Sequence, residues 1–319
     1  MGVNLPDTSL LELPDEPSIA VLPFTNMSSE PEQEYFSDGI TEDIITALSK
    51  VSDLLVIARN STFIYKDRAV DVKQVGRDQG VRYVLEGSVR KAGNRVRVTA
   101  QLVDATTSKH RWAERYDRDL EDIFAVQDEI TREIVSALDV NLREGEQARF
   151  WSSGTKNLEA WECVRLGSDL LNAYRAEDIP EVMRLCQRAI DVDPEYAAAW
   201  VLLAWSHFHV ADDSGHPEEE RERALESVRD CAQRALEYDP SCAEAYVALG
   251  LYHLSSEEHD AAMQNANRSV ELAPNHASNV ATSAAILNKC GHPERAIERI
   301  RKAMLLICTE IWSGFCIEN

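Results

Sequence analysis

The side chains best suited to chemistry in this chain are its eight histidines, seven cysteines and 55 acidic residues. Their spacing points away from catalysis. His207 and His209 lie two apart, so on a helix they face different directions and cannot share a metal as residues four apart can. Cys163, Cys186, Cys231, Cys242, Cys290, Cys308 and Cys316 form no Cys-x-x-Cys pair and no zinc spacing with histidine. They are expected to be reduced thiols serving as small apolar residues. No G-x-x-x-x-G-K-[ST], G-x-G-x-x-G after a strand, or G-x-S-x-G occurs. The expectation is therefore no catalytic residue, no cofactor and no metal site.

The remaining polar motifs have structural explanations beside functional ones. Asp38, Glu42 and Asp43 stand near a predicted helix start, where acids offset the helix dipole, and Asp38 or Thr41 is a candidate cap. Arg59, Asn60 and Ser61, with Glu86 and Ser88, interrupt or decorate apolar strands. They either line a small-ligand cleft or satisfy local backbone groups. Arg90, Lys91, Arg95 and Arg97 cluster at a predicted hairpin tip. A net charge of −22 opposes general nucleic-acid binding and attachment to anionic membranes. No stretch approaches the ~20 apolar residues that span a bilayer. Met1 to Pro17 is acidic and proline-bearing, so it is expected to be a linker and not a signal peptide. A cytoplasmic protein is the expectation.

These residues must be held by ordinary elements. Ser18–Phe24 is a short apolar run expected to form a buried strand ending at Pro23. Phe36, Ile40, Ile44, Ile45 and Leu48 follow at helical spacing. Leu54–Ala58 is a second strand, and Asp71–Gln79 a short helix stopped by Gly80. Val81–Arg90 and Arg95–Val103 flank the turn Lys91-Ala-Gly-Asn94, and His110–Tyr116 supplies another strand. Arg95–Val103 alternates polar and apolar, so one face meets a core and the other water. An apolar stripe from Ile123 to Leu142 closes the unit. The predicted order is β-α-β-α-β-β-β-α, an α/β domain with a mixed sheet over residues 18–145.

Ser18–Ser28, Tyr35–Ile44, Arg59–Ser61, Tyr83–Arg90 and Trp112–Asp117 together resemble the TolB-like amino-terminal domain of bacterial regulatory proteins. The resemblance implies a place between a class III nucleotide cyclase or winged-helix domain and C-terminal tetratricopeptide (TPR) repeats.

The second half, residues 157–305, is similar to TPR units, helix-turn-helix repeats of ~34 residues. The clearest copy spans Ala243–Asn275, with Tyr246, Leu249 and Gly250 on its first helix and Ala262, Ala266 and Ser269 on its second. An earlier copy has Trp200, Leu203 and Ala204, then Val228, Ala232 and Ala235, with extra residues Ala211–Glu222 expected to be a polar extension. Looser copies surround Gly167 and Ala284, making four units in an all-α solenoid. Residues 306–319 lose the period and are too apolar for a cap helix; either they fold back over the fourth unit or, as the abrupt loss of period favours, the chain is a truncated or frameshifted version of a longer protein.

In this register Trp205, Phe208, Val247, Leu251 and Leu254 face the concave groove. They are either anchors for a bound peptide or helix, or packing between repeats. The function expected is a non-catalytic regulatory or scaffold protein, with the α/β domain as sensor or dimerisation unit and the repeats binding a protein partner. A homodimer is compatible with that reading. The alternatives are the regulatory C-terminal part of a class III adenylate or guanylate cyclase, and a remnant of a winged-helix regulator.

Overall fold

The computed structural model describes residues 17–30, 33–138, 140, 154–173 and 175–307. The predicted linker before Pro17, the stripe residue Leu142 and the tail from 308 onward lie outside them. The front half begins with β1 (Ser18–Val21) and β2 (Thr25–Asn26), separated by Pro23, which has no N–H to give a ladder. Next come α1 (Glu34–Ser49), β3 (Leu55–Val56), α2 (Arg59–Phe63) and α3 (Val72–Gln79). β4 (Tyr83–Ala92), β5 (Arg95–Asp104) and β6 (Lys109–Asp119) form a meander, and α4 (Ile123–Ala137) closes it. The sheet order is β3-β1-β4-β5-β6, with β2 also paired to β4. β1 runs parallel to β3 and β4, whereas β4, β5 and β6 are antiparallel.

The sheet is mixed, as its sequence pattern predicts. Val96, Val98, Ala100 and Leu102 of β5 are buried among α1 and α4 residues such as Ile40, Ile44, Ile130 and Ile134. On the other face, Ala20, Ile57, Val75 and Val84 make a smaller cluster under α3. Asp71 caps α3 by accepting from Lys73 N at 3.0 Å, and Gly80 ends it at φ +61°. The β4–β5 turn needs a left-handed residue at Gly93, φ +58°.

Two local expectations change. α1 starts a turn earlier than predicted, so Asp38 and Thr41 lie inside it and cap nothing. Thr41 Oγ1 instead accepts from Phe24 N at 3.0 Å and tethers the end of β1 to α1. Arg59, Asn60 and Ser61 form a helical turn, α2, where a polar break in a strand was expected. The turn conformation still supplies the reversal, with Ser61 N donating to Ala58 O.

The back half, among the described residues, is a run of eight helices paired into four hairpins. They are α5 (Leu158–Asn172) with α6 (Ile179–Val192), α7 (Ala197–Asp212) with α8 (Glu218–Tyr238), α9 (Ala243–Ser255) with α10 (His259–Leu272), and α11 (Ala277–Lys289) with α12 (Pro293–Leu306). Each second helix also packs on the first helix of the next hairpin, which makes an all-α solenoid. The extra residues of the second hairpin lengthen α7 and α8 around the short turn 213–217, so they are largely helical. Glu218, Glu219 and Glu220 in the first turn of α8 favour its N-terminus electrostatically.

Candidate functional site

A network of half-buried charged side chains lies where α1 meets α5. On α1, Phe36, Ile40, Ile44 and Leu48 are buried in the sheet core, while Tyr35, Glu42 and Asp43 are half-buried and Gly39 is buried against α5. On α5, Trp161, Arg165 and Asp169 recur every four residues and line one face. Gly39 permits the approach: a Cβ there would stand 2.7 Å from Arg165 Cδ and 2.8 Å from Trp161 Cη2. Trp161 then packs edge-on to Phe36 and Phe124 at 5.4 and 6.1 Å, becoming part of the sheet core although it belongs to the solenoid.

Asp43 is the hub of this contact. Its Oδ2 accepts from Trp161 Nε1 at 2.7 Å and from Gln127 Nε2 at 2.9 Å. Its Oδ1 lies 3.4 Å from Arg165 Nη1, which also reaches Glu42 at 3.5 Å. Arg59 joins Glu42 at 3.4 Å to Asp169 at 3.1 Å. Two guanidinium groups thus face three carboxylates. Burial raises the Asp43 carboxyl above its ordinary value, though Arg165, the indole and the Gln127 amide pull it back. Asp169 is pushed up to about 6 by burial, with Arg59 opposing the shift and Glu42 and Asp38 adding to it. Burial disfavours the charge on Arg165, yet Asp43 and Glu42 outweigh it and raise the group further. A second bridge lies alongside: Glu162 accepts from Tyr35 Oη at 3.0 Å and from Lys91 Nζ at 3.2 Å.

The far end of α1 is held differently. Asn275, in the α10–α11 turn, donates from Nδ2 to Val51 O and Leu54 O, both at 2.7 Å. Its backbone N donates to Ser49 O at 3.1 Å, and Ala58 N donates to Leu306 O at 2.8 Å. Leu55 and Ala58 add apolar contact with Ala277, Val280, Ala303 and Leu306. The front domain therefore bridges the first and fourth helix hairpins.

The residues singled out by sequence are distributed as follows. Arg59 belongs to the α1–α5 contact, Asn60 is exposed and Ser61 is buried on α2. Glu86 and Ser88 sit on β4, where Glu86 accepts from Gln101 Nε2 of β5 and Ser88 stands between Thr25 and Thr99. They are thus on an element separate from Arg59. Trp205 and Phe208 meet edge to face at 5.9 Å, and both are half-buried. Val247 has no exposed surface and packs with Ala262, Ala266 and Ile286; Leu251 and Leu254 flank it half-buried. Sequence reading missed Asp43–Trp161, Arg165, Asp169 and Asn275. One signal was available: Gly39 inside an apolar helix, where glycine costs ~1 kcal/mol relative to alanine unless something approaches closely.

Among the described residues no group of histidine, cysteine or carboxylate side chains is arranged to hold a metal. None of the described helices is long and apolar enough to cross a membrane. Open pockets of about 280 and 370 Å3 lie beside Lys66 and Asn26, and beside Phe124 and Lys156, respectively.

Residues 15–133 match the second domain of the HilA/YgeH-like transcriptional regulators, and residues 229–277 match the tetratricopeptide repeat. The chain joins a HilA-like domain to TPR repeats. A protein of Rhizobium meliloti (strain 1021) named "Putative adenylate cyclase 3" is 56% identical over 193 residues, 60% of this chain. The chain spans 33% of that relative's length. Among solved structures, TolB from Acinetobacter baumannii is 18% identical with a TM-score of 0.32, covering 43% of this chain and 32% of its own. A thermophilic TPR protein of Thermus thermophilus is 14% identical with a TM-score of 0.43, covering 60% of this chain and 89% of its own. The HilA-like domain and the TPR repeats meet at Asp43, Trp161 and Arg165.

Proposed function

We propose that this chain is a non-catalytic regulatory module that works in the cytoplasm on a class III adenylate cyclase. Its TPR repeats recruit a protein segment, and its HilA-like domain acts as the sensor or dimerisation unit that sets the state of the repeats. The observation that carries this reading is the two-ended contact of the HilA-like domain with the first and fourth hairpins, since any change in that domain must be felt by the array. The 56% identity with the Rhizobium meliloti relative supports the cyclase setting. Trp205, Phe208, Leu251 and Leu254 keep partly exposed edges for a peptide or helix, with Val247 supporting them from beneath. Arg59 is engaged by Glu42 and Asp169, which favours a structural role for the Arg59–Ser61 turn over a ligand cleft.

The test has two arms. The purified chain is incubated with ATP or GTP and manganese, and no cyclic nucleotide should form; turnover would overturn the non-catalytic reading. It is then added to the Rhizobium meliloti relative lacking the matched segment, where cyclic AMP formation should change by about fivefold or more, a usual size for allosteric coupling. An unchanged rate would move the module to the transcriptional-regulator setting, which the match over residues 15–133 supports as the second reading.

A further inference from the structure

Among the described residues β6 ends the sheet and pairs with β5 alone. On its other side no backbone hydrogen bond joins residues 109–119 to any described residue. An open row of N–H and C=O groups is a template for a further strand, and edges that must stay single are usually blunted by proline, shortness or a bulge. β6 is long and has no proline. Its bulge is at Arg111, where the pairing steps from Trp112 opposite Leu102 to His110 opposite Val103. The regular edge is therefore 112–119, and beyond it Leu120 N turns back to donate to Asn94 O at 2.9 Å. Glu114, Tyr116 and Arg118 lie on the α4 side of the sheet, opposite Ala100, Val98 and Val96 of the core. Ala113, Arg115, Asp117 and Asp119 lie on the other face. Glu114 and Arg115 are exposed and have no ion pair among the described residues.

We propose that two copies of this chain join their sheets edge to edge through β6, antiparallel and about a two-fold axis beside Tyr116. Two-fold pairing of identical antiparallel strands sets one residue opposite itself, and the others opposite residues equally far along the partner. Centred on Tyr116, the pairing covers 113–119, sets Glu114 against the partner's Arg118 and Arg115 against the partner's Asp117, and does so twice by symmetry. Every charged pair in this register is opposite in sign. Centres at Glu114, Arg115, Asp117 or Arg118 put two like charges face to face, and a centre at Ala113 brings the bulged Arg111 against Arg115. The pairs also extend rows already present in one copy. Asp117 accepts from Arg97 at 2.6 Å and from Arg95 at 2.9 Å on its β5 side, and the partner's Arg115 takes the free side. Arg118, 4.0 Å from Glu129 of α4, gains the partner's Glu114. Such cross-strand pairs add to the backbone ladder and fix its register. The pairing rests on the dimerisation side of the regulatory reading above and gives it a surface.

Sedimentation velocity of the full chain over a concentration series tests this with no cyclase present. The wild-type chain should pass from monomer to dimer as its concentration rises. Glu114→Arg sets an arginine against the partner's Arg118, and Arg118→Glu sets a glutamate against the partner's Glu114. Each variant alone should dimerise about tenfold or more weakly, because two like-charged pairs replace two attractive ones. Mixed in equal amounts, the two variants face each other with opposite charges again, and the mixed dimer should form within about twofold of wild-type affinity. That rescue is specific to the Tyr116 register and shows that each variant still folds. A chain that stays monomeric at every concentration overturns the proposal. So does a dimer that neither variant weakens, or a loss that mixing does not restore. The cyclase assay reads a different quantity: a module that leaves cyclic AMP formation unchanged can still dimerise, and a monomer can still alter it, so the two ideas fail separately.

Discussion

The Trp161 indole donates to Asp43 Oδ2 at 2.7 Å across 118 residues of sequence, one of several bonds that join the sheet domain to the helical repeats. The same carboxylate accepts from Gln127 of α4, so it organises three helices at once. Its Arg165 partner is shared with Glu42, which makes the cluster a network and not an isolated pair. Deletions within it should therefore be non-additive.

Replacing Asp43 by alanine removes an acceptor from two donors and half the counter-charge of Arg165. Breaking a fully buried pair from one side costs about 3–5 kcal/mol; Asp43 keeps 27% of its side chain in water and Glu42 remains, so this variant should lose about 2–3 kcal/mol. Asp43→Asn keeps an acceptor for the indole and should cost about 1–2 kcal/mol. Urea denaturation followed by circular dichroism gives both values; equal losses for the two variants would show that charge plays no part.

Asn275→Ala leaves Val51 O and Leu54 O without the side-chain amide. Two unpaired buried carbonyls cost about 2–4 kcal/mol together. Asn275→Asp should be worse, because it turns a carboxylate oxygen toward carbonyl oxygens and provides no donor. A melting temperature higher for the aspartate variant than for the alanine one would contradict the assigned bonds.

Gly250 marks a close approach within the repeats. A Cβ there would sit 3.0 Å from Ile286 Cδ1 and 3.3 Å from Ala262 O. Gly250→Ala should be nearly neutral, as crowding offsets the ~1 kcal/mol gained in helix propensity. Gly250→Leu should overpack the seam and cost ~1–3 kcal/mol. Comparing the two by thermal melts separates sterics from propensity.

Asp169 predicts a pH dependence. Its folded value is raised to about 6 from an ordinary 3.8. Between those values the folded chain holds more protons than the unfolded one, so stability from this group falls as pH rises and is lost above about 6. Asp169→Asn stays neutral and escapes that loss. The melting temperature of the variant minus that of wild type should become more positive from pH 4.5 to pH 7.5; a flat or falling difference would show that Asp169 ionises without penalty.

Much of the fold was legible because its signals are local. Gly80 and Gly93 announced left-handed backbone, and the alternation from Arg95 to Val103 announced a half-covered strand. Gly250 and Ala262 announced a helix seam. The first turn of α1 was not legible, because Asp38 and Thr41 look like caps to any local rule. They are drawn inside the helix by Lys66, 2.6 Å from Asp38, and by the backbone of Phe24. Trp205 and Phe208 were ambiguous for a similar reason: large apolar residues on a repeat helix look alike whether they meet a neighbouring repeat or a ligand.

By itself the sequence determined an α/β unit of mixed strands followed by helical hairpins, since hydrophobic period and turn chemistry act over a few residues. Only the tertiary structure decided that the two halves are fastened together, at Asp43 to Trp161 and at Asn275 to Val51, the latter pair 224 residues apart. Such contacts leave no periodic trace. An aspartate on a helix or an asparagine in a turn satisfies local rules equally well in water. Its role is set by which distant donor or carbonyl the folded chain brings within hydrogen-bonding reach, and by how much water is lost when it does.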